Sequence, residues 1–147
     1  MKCVVQKVNH SSVTVDGKLI NEIGRGLMVL VGFTDTDTID DLNYCVRKVV
    51  NLRVFEDEND VMNLSVIDVG GEILSISQFT LYGDVRKGNR PSYIKALGGD
   101  KAKPLYEQFN KMLNEFVPTK DGVFGADMKI DLLNDGPTTI IIDSNER

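Results

Sequence analysis

An unbroken apolar run bounded by glycines constrains the fold of this chain more than any other feature. The run extends from Gly26 to Phe33 and reads Gly-Leu-Met-Val-Leu-Val-Gly-Phe. A strand with one face in water alternates apolar and polar side chains, whereas a continuous run of this length is typical of a strand buried on both faces. The fold must therefore cover this strand on two sides.

Strands early and late in the chain flank two predicted helices. An apolar stripe at helical spacing predicts a helix from Ile39 to Val49, capped by Thr38 or a neighbouring aspartate. A second stripe predicts a helix from Lys101 to Phe116, capped by Asp100. The predicted strands are Lys2–Val8, Ser12–Val15, Lys18–Asn21, Gly26–Phe33, Arg53–Phe55, Glu72–Phe79, Met128–Leu133 and Thr139–Ile142.

The order of these elements predicts one α/β domain over residues 1–147. The chain has 147 residues, which suits a single domain, and no linker divides it. We expect about seven or eight strands with two or three helices, arranged as a layered sandwich of largely antiparallel β-sheet. A doubly wound parallel sheet is the disfavoured arrangement.

Several classes of protein are disfavoured by composition and by missing motifs. No apolar run is long enough for a transmembrane helix, and Met1 to Lys7 are too polar for a signal peptide, so we expect a cytoplasmic protein without membrane association. The phosphate-binding fingerprints GxGxxG and GxxxxGK[ST] are absent. We therefore expect no nucleotide cofactor.

The potential metal ligands are few and scattered. The chain has one histidine, His10, and two cysteines, Cys3 and Cys45, which lie 42 positions apart. A structural zinc site needs four clustered ligands, so we expect no metal. In a reducing compartment the two cysteines are expected to be buried free thiols.

The charge of the chain is polarised. Its net charge is −5, which argues against a general nucleic-acid coat. The segment from Arg86 to Lys103 nevertheless carries +5, so the remaining residues carry −10. Such a segment can bind phosphate on an otherwise acidic protein, although a solvated loop and helix start would have the same composition.

Four short segments stand out, and each has an ordinary structural interpretation when taken alone. Ser77–Asp84 (SQFTLYGD) could simply end a strand, and Gly88–Ser92 (GNRPS) could be a solvated loop. In Phe124–Met128 (FGADM) the apolar side chains could belong to the core, and Asn134–Pro137 (NDGP) could be a plain turn. None of the four identifies a function alone.

In this order and together, the four segments resemble the D-aminoacyl-tRNA deacylase family, and the likeness spans essentially the whole chain. The resemblance implies a deacylase-type fold and a homodimer with active sites at the subunit interface. It implies that Gly136-Pro137 forms a cis bond and reaches into the partner's pocket, where it meets Ser77, Gln78, Phe79, Thr80 and Leu81. It further implies that Phe124 and Met128 help to form a pocket for the terminal adenosine.

Two positions depart from the family pattern. Relatives usually carry arginine where this chain has Lys7, and that arginine helps to hold the Gly-Pro element. Lysine keeps the charge but lacks the planar fork of a guanidinium. Relatives also usually have valine where this chain has Thr138. Gly136 and Pro137 themselves are intact.

The residues present favour a hydrolysis that uses backbone groups. The expected substrates are D-aminoacyl-tRNA and, because glycine has no side chain to exclude, glycyl-tRNA. No nucleophile–base pair is evident, so we expect backbone N–H groups around Phe79 and Thr80 to stabilise the oxyanion. Thr80 as a covalent nucleophile is the alternative. We expect Arg86, Lys87 and Arg90 to contact tRNA phosphates.

The first hypothesis is therefore an enzyme of translation quality control that performs chiral proofreading of aminoacyl-tRNA, and two other hypotheses compete with it. One is a non-catalytic dimeric RNA-binding module that uses the Arg86–Lys103 segment. The other is a dimeric domain that binds a small ligand. The intact SQFTL and Gly-Pro elements favour the enzyme.

Overall fold

The computed structural model describes all 147 residues as eight strands, two α-helices and two short 3-10 turns. The strands are β1 (Lys2–Val15), β2 (Lys18–Ile23), β3 (Gly26–Gly32), β4 (Phe55–Glu56), β5 (Met62–Leu64), β6 (Glu72–Ser77), β7 (Thr119–Asp121) and β8 (Lys129–Asp143). The helices are α1 (Ile39–Val50) and α2 (Gly99–Asn114), and the 3-10 turns are Phe79–Tyr82 and Ser144–Glu146. Neither α1 nor α2 has the length and hydropathy of a transmembrane helix.

The apolar run forms the central strand, as predicted. β3 pairs antiparallel with β1 on one side and parallel with β6 on the other. Leu27, Val29 and Val31 point to the larger core, which also contains residues of α1 and α2. Met28 points to a smaller core on the opposite face of the sheet. Alternate side chains of one strand thus fill two cores, which explains why the run contains no polar residue.

The sheet is not the antiparallel sandwich that the sequence predicted. Its order is β2-β1-β3-β6-β7, β8 pairs with β1, and both the β3–β6 and β6–β7 pairs are parallel. Parallel neighbours need long crossover connections, which α1 with the β4–β5 hairpin and α2 supply. The sheet also curls until its edges approach, where Asn21 Nδ2 donates to the Asp121 carbonyl (2.7 Å). The fold is a mixed α/β structure around a nearly closed sheet.

Two long strands replace several short predicted ones. β1 runs unbroken from Lys2 to Val15 because its two halves pair in turn with β3 and β2, while β8 follows it on the other side. The predicted strands Met128–Leu133 and Thr139–Ile142 are the two halves of β8. Their register shifts opposite Gln6–Ser11. The segment at this irregularity contains Gly136-Pro137, whose peptide bond is cis.

The helix starts agree with the sequence analysis only in part. Thr38 caps α1 as predicted, in a capping box that Asp41 completes by accepting from the N–H of Thr38 (2.8 Å). The prediction of Asp100 as the cap of α2 was wrong. Gly98 occupies that position without a side-chain hydrogen bond, and Asp100 lies in the first turn, where its charge still complements the helix dipole.

Both cysteines are free and buried, as expected. Cys3 on β1 and Cys45 on α1 belong to the larger core. A hydrogen bond with Cys45, together with burial, raises the pKa of the Cys3 thiol well above its ordinary value. These thiols therefore pack as small apolar side chains.

Candidate functional site

A cavity of about 610 Å³ opens where the parallel strands β3 and β6 end. Carboxyl ends of parallel strands are a common place for ligand sites, because the loops that follow the strands diverge there. The wall is mainly apolar, with polar groups from Ser77, Gln78 and Asp127. The other lining residues are Val31, Gly32, Phe33, Ile76, Phe79, Tyr93, Ala96, Leu97, Gly98, Gly99, Ala102, Phe124, Gly125, Ala126, Met128 and Ile130.

The SQFTL segment turns sharply at the edge of this cavity. β6 ends at Ser77, and the N–H of Gln78 donates to the Val31 carbonyl (2.7 Å), which fixes the turn against β3. A 3-10 turn begins at Phe79, and its first hydrogen bond runs from the N–H of Leu81 to the Gln78 carbonyl (3.3 Å). The N–H groups of Phe79 and Thr80 precede that bond. The turn itself therefore offers these two N–H groups no hydrogen-bond acceptor, and a ligand can supply one.

Thr80 has a hydroxyl but no base beside it. Its side chain is exposed, does not line the cavity, and accepts a short hydrogen bond from Gln78 Nε2. The single imidazole belongs to His10 on β1, where Nδ1 lies 4.0 Å from Asp131 Oδ1. A threonine hydroxyl without a neighbouring base is a poor nucleophile. The geometry around Thr80 therefore offers a backbone donor more readily than a side-chain attack.

Phe124 and Met128 form one wall of the cavity. Phe124 is half-buried and packs on Tyr106 of α2, with ring centroids 5.8 Å apart. Met128 packs over Gly122 so closely that a Cβ at Gly122 would lie 2.6 Å from Met128 Sδ. The structure thus brings both residues together with Ser77, Gln78 and Phe79, as expected for a shared pocket.

Gly136 and Pro137 lie outside the cavity of their own chain. They are exposed and form the bend in β8 beside β1. Asn134 holds this bend, since its Nδ2 donates both to the Lys7 carbonyl (3.0 Å) and to the Thr138 carbonyl (2.9 Å). One chain therefore does not bring the Gly-Pro element to the SQFTL turn.

Lys7 anchors the same bend by its charge. Its side chain is only 2 % exposed, and its Nζ lies 2.7 Å from Glu56 Oε1 and 3.8 Å from Asp135 Oδ2. The ammonium group lowers the pKa of Glu56, chiefly by donating a hydrogen bond to it. A lysine at this position therefore links β4 to the residue that precedes Gly136.

The first part of the basic segment, with Arg86, Lys87 and Arg90, lies on a loop that begins beside the SQFTL turn and is called the basic loop below, whereas Lys101 and Lys103 lie in α2. Asp84 and Ser92 close this loop through a pair of backbone hydrogen bonds of 2.8 and 2.9 Å. The Arg86 guanidinium donates to the Asp84 carboxylate, from Nη2 to Oδ2 (2.6 Å) and from Nε to Oδ1 and Oδ2 (2.9 and 3.0 Å), and this contact holds the pKa of Asp84 well below its usual range. Lys87 and Arg90 are exposed and form no ion pair, so their charges are free for a ligand.

The opposite wall of the cavity was missed by the sequence analysis. It comes from the end of β3 and from the loop and helix start that contain Tyr93, Ala96 and Gly98. The signal that could have found this wall is the parallel pairing of β3 with β6. Had that pairing been predicted, the end of the Gly26–Phe33 run would have been placed at the same sheet edge as Ser77. No cluster of three or more His, Cys, Asp or Glu side chains is placed to hold a metal ion.

A family model and curated relatives show the family of this chain, and solved structures share its fold. Residues 4–143 match the family model described as "D-Tyr-tRNA(Tyr) deacylase". A Clostridium botulinum protein named D-aminoacyl-tRNA deacylase is 56% identical over 147 residues, which cover 99% of each chain. A solved structure named c-Myc DNA Unwinding Element Binding Protein superposes with a TM-score of 0.93 at 46% identity, covering 97% of this chain and 98% of that one. A structure described as a probable eukaryotic D-amino acid tRNA deacylase has a TM-score of 0.82 at 20% identity, covering 96% and 97%, and shares the fold.

Proposed function

Because this chain belongs to the D-Tyr-tRNA(Tyr) deacylase family, we propose that it hydrolyses the ester bond of D-aminoacyl-tRNA and spares the L-aminoacyl ester. The observation that carries the proposal is the SQFTL turn: the N–H groups of Phe79, which lines the apolar cavity, and of Thr80, the next residue, precede the first hydrogen bond of the turn. The products are the free D-amino acid and tRNA. We assign this activity to a single domain of residues 1–147 in the cytoplasm, without a cofactor.

The cavity would take the terminal adenosine of the substrate. Its wall of Phe124, Met128 and Ala102 suits the flat apolar faces of a purine. With the base against this wall, the ribose and its ester lie toward Ser77 and Phe79. Side chains of Ser77 and Gln78 are the polar groups available there for the sugar or the amino acid.

The reaction needs only water and the backbone donors. Water adds to the ester carbonyl carbon, and the oxyanion that forms accepts hydrogen bonds from the N–H groups of Phe79 and Thr80. The carbon–oxygen bond to the ribose then breaks, and the water's proton passes to the departing ribose oxygen. The neighbouring ribose hydroxyl is in a position to orient the water. A covalent intermediate on Thr80 is the alternative.

The Gly-Pro element of the partner subunit would supply the selection against L-amino acids. Carbonyl oxygens of this element accept hydrogen bonds from the substrate's amino group and leave no room for an L side chain. Gly136 and Pro137 are exposed and outside their own chain's cavity, which supports a role in another subunit. Glycyl-tRNA has no side chain to clash and would also be hydrolysed.

A homodimer follows from this assignment, since neither chain alone contains a complete site. The β8 strand carries large exposed apolar side chains on both sides of the Gly-Pro bend, Leu133 and Ile141. Exposed apolar groups that flank a functional element are typical of an interface. Contact between two β8 regions would cover them and bring each bend to the other's SQFTL turn.

The basic loop would hold the phosphates of the tRNA acceptor end. Lys87 and Arg90 are free of ion pairs, whereas Arg86 shares its charge with Asp84. Phosphate contacts of this kind fix position and are blind to sequence. They explain how one enzyme would accept many different tRNAs.

Matched esters of one tRNA test the proposal directly. Purified protein is incubated with D-tyrosyl-tRNA and L-tyrosyl-tRNA, and the release of free tyrosine is followed. We expect rapid loss of the D ester and little loss of the L ester above the spontaneous rate. Retention of RNA without hydrolysis would instead favour the non-catalytic RNA-binding module.

A further inference from the structure

Two exposed aromatic side chains form a pair at the mouth of the cavity. Phe79 is 57 % exposed and Tyr93 is 40 % exposed, and their ring centroids lie 5.0 Å apart with the planes at 71°. Both residues line the cavity. Exposed aromatic rings in contact with each other present an apolar surface to solvent, and such surfaces beside a cavity often mark the place where a ligand binds.

The Tyr93 ring is fixed before any ligand arrives. It packs against the backbone of Gly83, where a Cβ would lie 3.1 Å from Tyr93 Cε1. The preceding residue, Ser92, is joined to Asp84 by the backbone bridge, and the Tyr93 carbonyl accepts from the N–H of Ala96 (3.0 Å). A ring held in this way loses little freedom on binding, so contact with it gains affinity.

The surroundings of the pair select the kind of ligand. Tyr93 lies in the connection between the Phe79–Tyr82 turn and α2, and this connection also carries the exposed cations Lys87, Arg90 and Lys95, all within six residues of Tyr93 along the chain. Aromatic rings beside basic side chains are the usual surface for single-stranded nucleic acid, where bases stack and phosphates pair with the cations.

We propose that the Tyr93 ring, paired with Phe79, stacks the base of the nucleotide immediately 5′ to the terminal adenosine. This inference rests on the proposed function, because the terminal adenosine must occupy the cavity for its neighbour to reach the mouth. The unpaired 3′ end of a tRNA continues outward from the cavity toward the basic loop. The first base outside the cavity therefore meets the aromatic pair, and the phosphates beyond it meet Lys87 and Arg90.

Stacking on a ring is tolerant of sequence and indifferent to the amino acid. It would hold the acceptor end in register without reading the tRNA body or the D side chain. The contribution is measurable, because stacking of one base on an aromatic side chain corresponds to about a 5- to 150-fold change in affinity.

Three variants separate a stacking ring from other roles. Tyr93→Leu removes the aromatic face and keeps the bulk, whereas Tyr93→Phe keeps the ring. Ile94→Ala changes the neighbouring residue, which is 90 % exposed, and is the matched control for a general effect of this loop. Both positions are exposed, so none of the three variants removes a core side chain.

The measurement compares a nucleoside with a trinucleotide. KM is determined for D-tyrosyl-adenosine and for D-tyrosyl-CpCpA, and binding of unacylated adenosine and CpCpA is measured by calorimetry. We expect the natural chain to favour the longer ligand. Tyr93→Leu should lose most of that preference, by about 5- to 150-fold, whereas Tyr93→Phe and Ile94→Ala should keep it.

Three results would overturn the inference. One is an unchanged preference for CpCpA in Tyr93→Leu, and another is an equal loss in Ile94→Ala. The third is a Tyr93→Leu protein that sediments as a smaller species, which would assign the ring to a subunit contact. The binding arm needs no hydrolysis, so a protein that binds CpCpA through Tyr93 but cleaves neither ester would contradict the proposed function alone.

Discussion

Replacing Asn134 by aspartate tests how the Gly-Pro bend is held. The amide Nδ2 of Asn134 donates to two carbonyl oxygens, those of Lys7 and Thr138, at 3.0 and 2.9 Å. Asn134→Asp keeps the shape of the side chain but replaces the donor with a carboxylate oxygen. Both carbonyls lose their partner, and an anion faces them at hydrogen-bond distance.

The size of the loss in stability follows from the number of hydrogen bonds that Asn134 makes. Each hydrogen bond contributes a net of about 0.5–1.5 kcal/mol, so Asn134→Ala should lower the free energy of unfolding by about 1–3 kcal/mol. For a chain of this size, that corresponds to a fall in Tm of about 2–12 °C. Asn134→Asp should cost more than Asn134→Ala at pH 7, because the carboxylate repels the two carbonyl oxygens.

The pH dependence of the aspartate variant has a definite sign. Opposing carbonyls favour the protonated carboxyl, so its folded-state pKa rises above the unfolded value of about 3.9. A protonated carboxyl donates again, and its stabilisation is present at low pH and lost as pH rises through the folded pKa. The deficit of Asn134→Asp relative to the natural chain should therefore shrink as pH falls from 7 toward 4.

Urea unfolding at several pH values measures this deficit. Gln6→Glu is the control, because it makes the same change from amide to carboxylate in the same pair of strands, β1 and β8. The Gln6 amide makes only an exposed hydrogen bond of 3.3 Å to Thr139 Oγ1. We expect Gln6→Glu to change stability little. Equal stability of Asn134→Asp and the natural chain at pH 7, or a deficit that grows toward pH 4, would refute the reasoning.

Four further predictions concern the site and its supports. Thr80→Ala keeps the N–H, so its rate should fall less than the 10²–10³-fold that is typical for a lost oxyanion donor; a larger loss in a folded protein, or a trapped acyl-Thr80 species, would favour the covalent route. Prolonged treatment with a chelator should leave the rate unchanged, and a loss that zinc restores would contradict the backbone mechanism. Neutralising Arg86, Lys87 and Arg90 together should raise KM for aminoacyl-tRNA and weaken the salt dependence of binding. An equal rise in KM for aminoacyl-adenosine would show that these residues act elsewhere. Lys7 lowers the pKa of Glu56 in the folded protein. The natural chain should therefore be more stable than Glu56→Gln above about pH 4.3, the unfolded pKa, and this advantage should vanish as pH falls through the lower pKa of the folded state. A difference in the free energy of unfolding that stays constant from pH 7 to pH 2 would refute this prediction.

Local patterns predicted the elements that depend on local chemistry. The Gly26–Phe33 run predicted a strand buried on both faces, and Thr38 predicted the start of α1. The SQFTLYGD, GNRPS, FGADM and NDGP segments, taken together in this order, predicted the family, which is confirmed. The strand and the helix start needed only a few neighbouring residues each, whereas the family needed four segments spread along the chain.

The arrangement of strands could not be predicted in the same way. Pairing of β6 with both β3 and β7 in parallel depends on crossovers that periodicity does not reveal. The edges of the curled sheet meet through residues about 100 positions apart, such as Asn21 and Asp121. Tyr93 escaped notice because its role depends on a ring contact with Phe79 across a loop.

A crystal structure with a non-hydrolysable amide analogue of D-tyrosyl-adenosine tests the central claim most directly. We predict the adenine against Phe124 and Met128, and the analogue's carbonyl oxygen within hydrogen-bond distance of the N–H groups of Phe79 and Thr80. The amino group should face Gly136-Pro137 of a second copy of this chain. An analogue bound away from the SQFTL turn, or a complete site without a second copy, would contradict the account.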